Sequence, residues 1–363
     1  MGEFNHSRVD LARKRRGLTK TTLAREARIS TRSLTAYERG EKEPTADTVA
    51  RLAAALHFPV EFFKGADLDE PPLEGSSFRA LSTLTARQRD QAMGSAALAL
   101  ALMDWIDVRF NLPEPNVPRL RGVDAETAAQ AVRRGWGLGE RTAPNMVHLL
   151  EAQGVRVFSL AEECAEVDAF SFWRGLVPYV FLNTMKTPER SRMDAAHELG
   201  HLVLHWHGGP KGRDAEREAQ AFGSAFLMPR GSVLAEAPRG ARLDQLVAAK
   251  RRWNVAVANL AYRMHALGLL TDWQYRSVFI EIGKRDYRKK EPNGIPRETS
   301  QVLAKVFETL RAEGLSTAKI AEELAIPNEE LSKIVFRLAL TPLRGEGHAQ
   351  HAALQERPNL RVV

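Results

Sequence analysis

The chain has 363 residues, a formal net charge of +7 and a pI near 9.6. That length allows two or three domains, and the basic balance suits a polyanionic partner. One cysteine, Cys164, excludes an internal disulfide framework and a cysteine-rich zinc site, and it fits a reducing cytosol. No signal-peptide pattern is present, and the longest apolar run, 96–106, is too short to span a membrane. A cytoplasmic protein with no membrane partner is expected.

Residues 1–64 carry five short helix patterns. Arg15-Arg16-Gly17 ends the first. Thr19 is placed to cap a second over 20–27, Ser30 a third over 31–39, and Gly40 to stop it. Pro44-Thr45 opens a fourth, in which Val49, Leu52, Ala53 and Leu56 recur at helical spacing, and 59–63 makes a short fifth. Leu18-Thr19-x-x-x-Leu23-Ala24, Ser30-x-x-x-Leu34-x-x-Tyr37-Glu38-Arg39-Gly40, Pro44 and Leu52-Ala53 together resemble the XRE (Cro/cI-like) helix-turn-helix family. The resemblance implies a homodimer that binds double-stranded operator DNA at two half-sites about 34 Å apart. Its third helix would present Thr31, Arg32, Ser33 and Thr35 to base edges, with Arg39 at its end. Lys20 is expected on backbone phosphate or a guanine. Arg13, Lys14, Arg15, Arg16 and Lys42 are expected to add charge against phosphates. The competing reading is a helical bundle with a solvated charged face.

Residues 65–77 are acidic and rich in Pro and Gly, the composition of a linker open to proteolysis, which is expected to run over 65–84. Residues 85–112 carry a long helix pattern with Ala92, Ala96, Leu100, Met103 and Ile106 as its apolar stripe. Such a helix can pair in a dimer or lie across the next domain. Asp124 caps a helix to 134, and Thr142-Ala143-Pro144 opens another through Glu151. Strand patterns follow over 155–160, 168–173 and 177–182, the last two split by a hairpin at Arg174-Gly175. An edge strand of this small sheet can hold an extended peptide.

Ala196-His197-Glu198-Leu199-Gly200-His201 contains His-Glu-x-x-His. On a helix, His197 and His201 share one face and can aim at one ion, while Glu198 can reach a water on it as general base. Gly200 is costly inside a helix, which points to a close approach there. A carboxylate ligand follows in Glu216-Arg217-Glu218-Ala219-Gln220-Ala221-Phe222, where either Glu216 or Glu218 is available. His205, four beyond His201, is expected beside the site rather than on the metal, because catalytic zinc keeps one position for water. With Glu218-Ala219-x-x-Phe222, Phe226-Leu227-Met228-Pro229, Val180-Phe181-Leu182-Asn183 and Arg192, the stretch over about 150–280 resembles the ImmA/IrrE metallopeptidases. The resemblance implies a gluzincin-type Zn2+ site with ligands His197, His201 and Glu218. It also implies a repressor protein with a helix-turn-helix domain as substrate. Gln220 departs from the Asn or Asp more common in that family. Tyr262, Arg263 or His265, in the stretch after Asn254-Val255-Ala256, can stabilise the tetrahedral oxyanion.

Residues 299–340 show a generic helix-turn-helix spacing, read as a packing or dimer module in preference to a second DNA contact, and the polar tail 346–363 is expected to be disordered. The expected whole is mainly α with a small β-sheet (α+β). It comprises a five-helix domain (1–64), the linker (65–84), a connecting helix (85–112), a metallopeptidase domain (113–283) and a C-terminal helical module (284–345). The expected function is a transcriptional regulator with a zinc-dependent, site-specific endopeptidase domain. It would cut a helix-turn-helix repressor, in trans or in itself near 65–80, in stress response, phage immunity or toxin–antitoxin control. The alternative is a repressor whose metal domain senses a ligand and cuts nothing. The intact Glu198 argues against that, since a structural site has no use for it.

Overall fold

A computed structural model of the chain describes residues 4–72, 85–160, 167–206, 212–335, 337–339 and 360. The N-terminal part holds α1 (His6–Arg15), α2 (Lys20–Glu26), α3 (Thr31–Glu38), α4 (Ala46–Leu56) and a 3-10 turn at Val60–Lys64. Thr19, Ser30 and Thr45 each accept a backbone N–H from three residues on, which satisfies donors the helix leaves orphaned. Val9, Leu23, Leu34, Leu52, Leu56, Phe62 and Phe63 close the core between them.

The long helix α5 (Ala86–Asp107) begins in a capping box formed by Thr85 and Gln88. It shows no half-exposed stripe: Gln91, Ala92, Gly94 to Leu100, Leu102, Met103, Trp105 and Ile106 are all buried. At Gly94 the backbone of α1 passes so close that a Cβ would lie 2.9 Å from Arg15 Cβ. The helix is consumed inside its own chain.

Next come α6 (Ala125–Gly135), α7 (Met146–Ala152) and a sheet of β1 (Arg156–Ser159), β2 (Ala169–Arg174) and β3 (Val177–Leu182). The strand order is β1-β3-β2, with β1 parallel and β2 antiparallel to β3. Cross-strand pairing of Phe170 with Phe181 and Phe172 with Tyr179 stacks aromatics on one face. Alternation sends Ser171 to the other face, where its hydroxyl meets α8 (Pro188–Leu204). Then follow α9 (Arg213–Leu227), α10 (Arg230–Glu236), α11 (Leu243–Ala249), α12 (Val257–Ala266) and α13 (Asp272–Lys284), and last α14 (Gln301–Ala312), α15 (Thr317–Glu323) and α16 (Asn328–Ile334). Residues 73–84 of the expected linker and most of the expected tail lie outside the described residues. Leu360 donates its N–H to the Asn111 carbonyl, at 3.0 Å.

The basic run of α1 is a correction to the sequence reading. Arg15 Nε lies 2.7 Å from Glu330 Oε2 and Arg16 Nη1 lies 2.6 Å from Glu330 Oε1. Arg13 pairs with Glu38 and Asp10, and Lys14 with Asp10. These cations neutralise carboxylates of their own chain. Because Glu330 is buried in α16, and α16 packs on α5, the helix that would enter a groove in a second DNA reader is used internally. The module packs.

That module also grips the middle of the chain. Glu151 of α7 accepts the Gln301 and Val302 N–H groups at 2.9 and 3.2 Å and the Ser300 hydroxyl, capping α14 from outside. Burial pushes its carboxyl up to about 7, against the three hydrogen bonds. The folded chain therefore holds more protons than the unfolded one between the ordinary value of 4.5 and about 7, and this contribution to stability falls as pH rises through that window. Glu151→Ala is expected to cost about 1–3 kcal/mol for each buried donor left unpaired, and to flatten that decline. Thermal melts on either side of the window check both effects.

Candidate metal centre and DNA-reading surface

Thr187 caps α8 and Pro188 occupies its first turn. Arg192, buried, donates to the Pro144 and Ala143 carbonyls, each at 2.6 Å, and pairs with Glu298. This fixes the helix one turn before its histidines. Further on, α8 and α9 meet backbone to backbone. A Cβ at Gly200 would lie 3.1 Å from Ala219 Cα, and one at Gly223 would lie 3.0 Å from His197 N. Gly200 is thus where the close approach occurs.

That seam decides which acid faces the imidazoles. Glu216, Ala219 and Gly223 lie three and then four residues apart, on one row of α9. Glu218 is rotated about 100° off Ala219. His197 Nε2 and His201 Nε2 stand 3.1 Å apart. Glu216 Oε2 lies 3.4 Å from His197 Nε2, and its Oε1 lies 3.6 Å from His201 Nε2. The three ligand atoms all fall within 4.8 Å of one another. Among the described residues the set that could hold an ion is therefore His197, His201 and Glu216, in place of the expected Glu218. Glu218 Oε2 instead meets His205 Nε2 at 3.0 Å. The small residues Ala219 and Gly223 were the signal in the sequence that could have set the choice.

The donor set fits a divalent cation. Burial holds His201 down to about 4, which keeps the imidazole neutral and its lone pair available. Burial also opposes the charge on His197, but hydrogen bonding to Glu216 and the Glu198 charge outweigh it and raise that group. Burial opposes the Glu216 charge too, yet the two imidazoles hold its carboxyl below the usual range. Glu216 Oε1 is buried without a hydrogen-bond partner, an acceptor left for an ion. Two imidazole nitrogens and one carboxylate are borderline ligands that suit zinc. Glu198 is 2% exposed, and the Ser171 hydroxyl donates to its Oε2 at 2.7 Å. Sequence reasoning missed Ser171. Its only mark was a hydroxyl in the aromatic strand Ala169–Arg174.

The candidate oxyanion donors fare differently. Arg263 is buried and committed: Nε donates to the Met228 carbonyl at 2.9 Å, and Nη1 and Nη2 grip Glu126 at 2.6 Å each. It ties α12 to α6 and is withdrawn as an oxyanion donor. His265 pairs with Asp272 at 2.7 Å and stacks on Tyr275. Tyr262 is 36% exposed on the same helix.

On the other domain, Thr31, Arg32, Thr35, Ala36, Arg39, Glu41 and Lys42 line a surface concavity of about 620 Å³. Ser33 completes the cap with Ser30, and the Thr35 hydroxyl bonds back to the Thr31 carbonyl at 2.9 Å. Arg39 lies 3.5 Å from Glu41. Lys20 is pulled 2.6 Å from Glu38 Oε2. Arg32 is exposed and makes no hydrogen bond or ion pair among the described residues.

A family model described as a helix-turn-helix matches residues 10–63, and a peptidase-family model described as an IrrE N-terminal-like domain matches residues 150–265. The chain joins an XRE-type helix-turn-helix domain to an ImmA/IrrE-like metallopeptidase-family domain. No curated protein matches it. In this helix-turn-helix–peptidase fusion, the first match holds the concavity and the second holds His197, Glu198, His201, Glu216 and Ser171. The α14 to α16 module of the fusion lies beyond both matches. Among the described residues, no helix is long and apolar enough to cross a membrane.

Proposed function

We propose that this fusion is a cytoplasmic transcription regulator that binds operator DNA as a homodimer and cuts a helix-turn-helix repressor with a zinc-dependent endopeptidase domain. The observation that carries it is the convergence of His197, His201 and Glu216 beside a buried Glu198. Those three residues would hold the ion. Zinc in that place supplies a Lewis acid for the scissile carbonyl and lowers the pKa of a water to about 7. Glu198 takes a proton from the attacking water and returns it to the leaving amine nitrogen, so that water is split across the peptide bond. The Ser171 hydroxyl steadies the carboxylate for both transfers. Strand β2 pairs with β3 on one side and has no partner strand on the other among the described residues, and an extended substrate can add there. The test is purified protein, with and without chelator, mixed with helix-turn-helix repressors and read by mass. Two fragments summing to one repressor, lost with chelator, support the reading. Intact repressors throughout sink it.

For DNA, Arg32 is the side chain expected to matter most, since its guanidinium has no internal partner to leave. Arg32→Ala is expected to weaken operator binding by about 1–3 kcal/mol and to relax preference at one base pair. Lys20→Ala, which removes a cation already held by Glu38, is expected to cost less. Titrations at two salt concentrations separate base reading from phosphate contact.

A further inference from the structure

The carboxylate that fell outside the ligand set still has a partner, and the partner touches a ligand. His201 Nδ1 lies 3.0 Å from His205 Nδ1, and His205 Nε2 lies 3.0 Å from Glu218 Oε2. The side chains of His201 and His205 are 1% and 0% exposed, and that of Glu218 is 40% exposed. We infer that His205 and Glu218 are positioning residues for the metal, forming a one-way hydrogen-bond relay that fixes the tautomer and aim of His201. This rests on the metal centre of the proposed peptidase.

The direction follows from counting hydrogens. A carboxylate oxygen only accepts, so the hydrogen between His205 and Glu218 sits on His205 Nε2. A neutral imidazole carries one hydrogen, so His205 Nδ1 is bare and accepts. The hydrogen between the two Nδ1 atoms then belongs to His201. That leaves the His201 lone pair on Nε2, the atom facing His197 and Glu216. With both imidazoles neutral and the carboxylate accepting, this arrangement pairs every atom in the row and turns the correct nitrogen of His201 toward an ion. A buried histidine without such a partner could present either nitrogen. Outer hydrogen bonds of this kind fix ring orientation and raise the basicity of a ligating imidazole.

The test reads zinc affinity by competition with a chromophoric chelator on the full chain, and imidazole nitrogen tautomers by NMR on the zinc-loaded chain. Glu218→Ala and His205→Phe are each expected to lower zinc affinity by about 10–100-fold. The double variant is expected to match the worse single one, because one relay is removed once. Glu218→Gln keeps an amide oxygen that accepts from His205 Nε2, and it should recover most of the loss. NMR should show His201 protonated at Nδ1 and His205 at Nε2. Glu216→Ala should abolish stoichiometric zinc. Wild-type affinity in Glu218→Ala overturns the relay, as does His205 protonated at Nδ1. Loss of zinc in Glu218→Ala but not in Glu216→Ala also overturns it, making Glu218 a ligand. A wild-type chain that takes up no zinc fells the metal centre itself, and the relay with it.

Discussion

Glu198→Gln is expected to slow peptide cleavage by about 10²- to 10⁴-fold, the usual contribution of a positioned general base, while zinc content and operator affinity stay at wild-type levels. The amide has the size of the carboxylate, and its oxygen can still accept from the Ser171 hydroxyl, so the packing at this nearly closed position survives. What goes is the basicity. An amide takes no proton from water at neutral pH and has none to hand to a departing amine. Metal content is expected to stay because the atoms that would hold the ion belong to His197, His201 and Glu216. Parallel measurements of turnover, bound zinc and DNA affinity decide the matter. Undiminished cleavage would remove Glu198 from the mechanism. Zinc lost together with cleavage would place it among the ligands.

The second large effect is structural. Glu330→Ala is expected to destabilise the packing of α1, α5 and α16 by about 3–5 kcal/mol, the range seen when one member of a buried ion pair is removed. Glu330 is wholly enclosed and serves two guanidiniums, one of which, on Arg15, is 1% exposed. Its removal takes away a buried carboxylate that both guanidiniums share. Arg16 suffers less, since it is 15% exposed and keeps the Leu56 and His57 carbonyls. The paired change of Arg15→Met with Glu330→Leu should regain most of the loss, because apolar groups of similar volume often replace a buried pair at little cost. Thermal melts of the three variants test this. Equal melting points for Glu330→Ala and wild type would mean that the pair contributes nothing.

Local chemistry was plain in the sequence, and pairing over long distance was not. Thr19 and Ser30 announced helix starts because a cap acts on donors only three residues away. The His197–His201 spacing announced a shared face for the same reason. Glu216 against Glu218 could not be settled that way, since the choice depends on how a second helix is rotated against the first. Arg15 and Arg16 looked like part of a phosphate clamp because their counter-charge, Glu330, stands 315 and 314 residues further along the chain. Arg263 looked free until Glu126, 137 residues earlier, was brought to it. The apolar stripe of α5 suited a dimer partner and the next domain alike, whereas it packs against elements from opposite ends of its own chain.

The Arg15–Glu330–Arg16 junction bears on what a single cut could achieve. A break anywhere in 65–84 would sever the covalent path between the DNA-reading head and the body, but α1 would still lie against α5 and both guanidiniums would still be seated on Glu330. Arg174, on the sheet hairpin, additionally holds Asp69 on the head side of any break beyond that residue and Asp104 on the body side. The two fragments would behave like a complemented pair, running as one species on a sizing column and separating only in denaturant. A nick there would leave the DNA-reading head seated on the body.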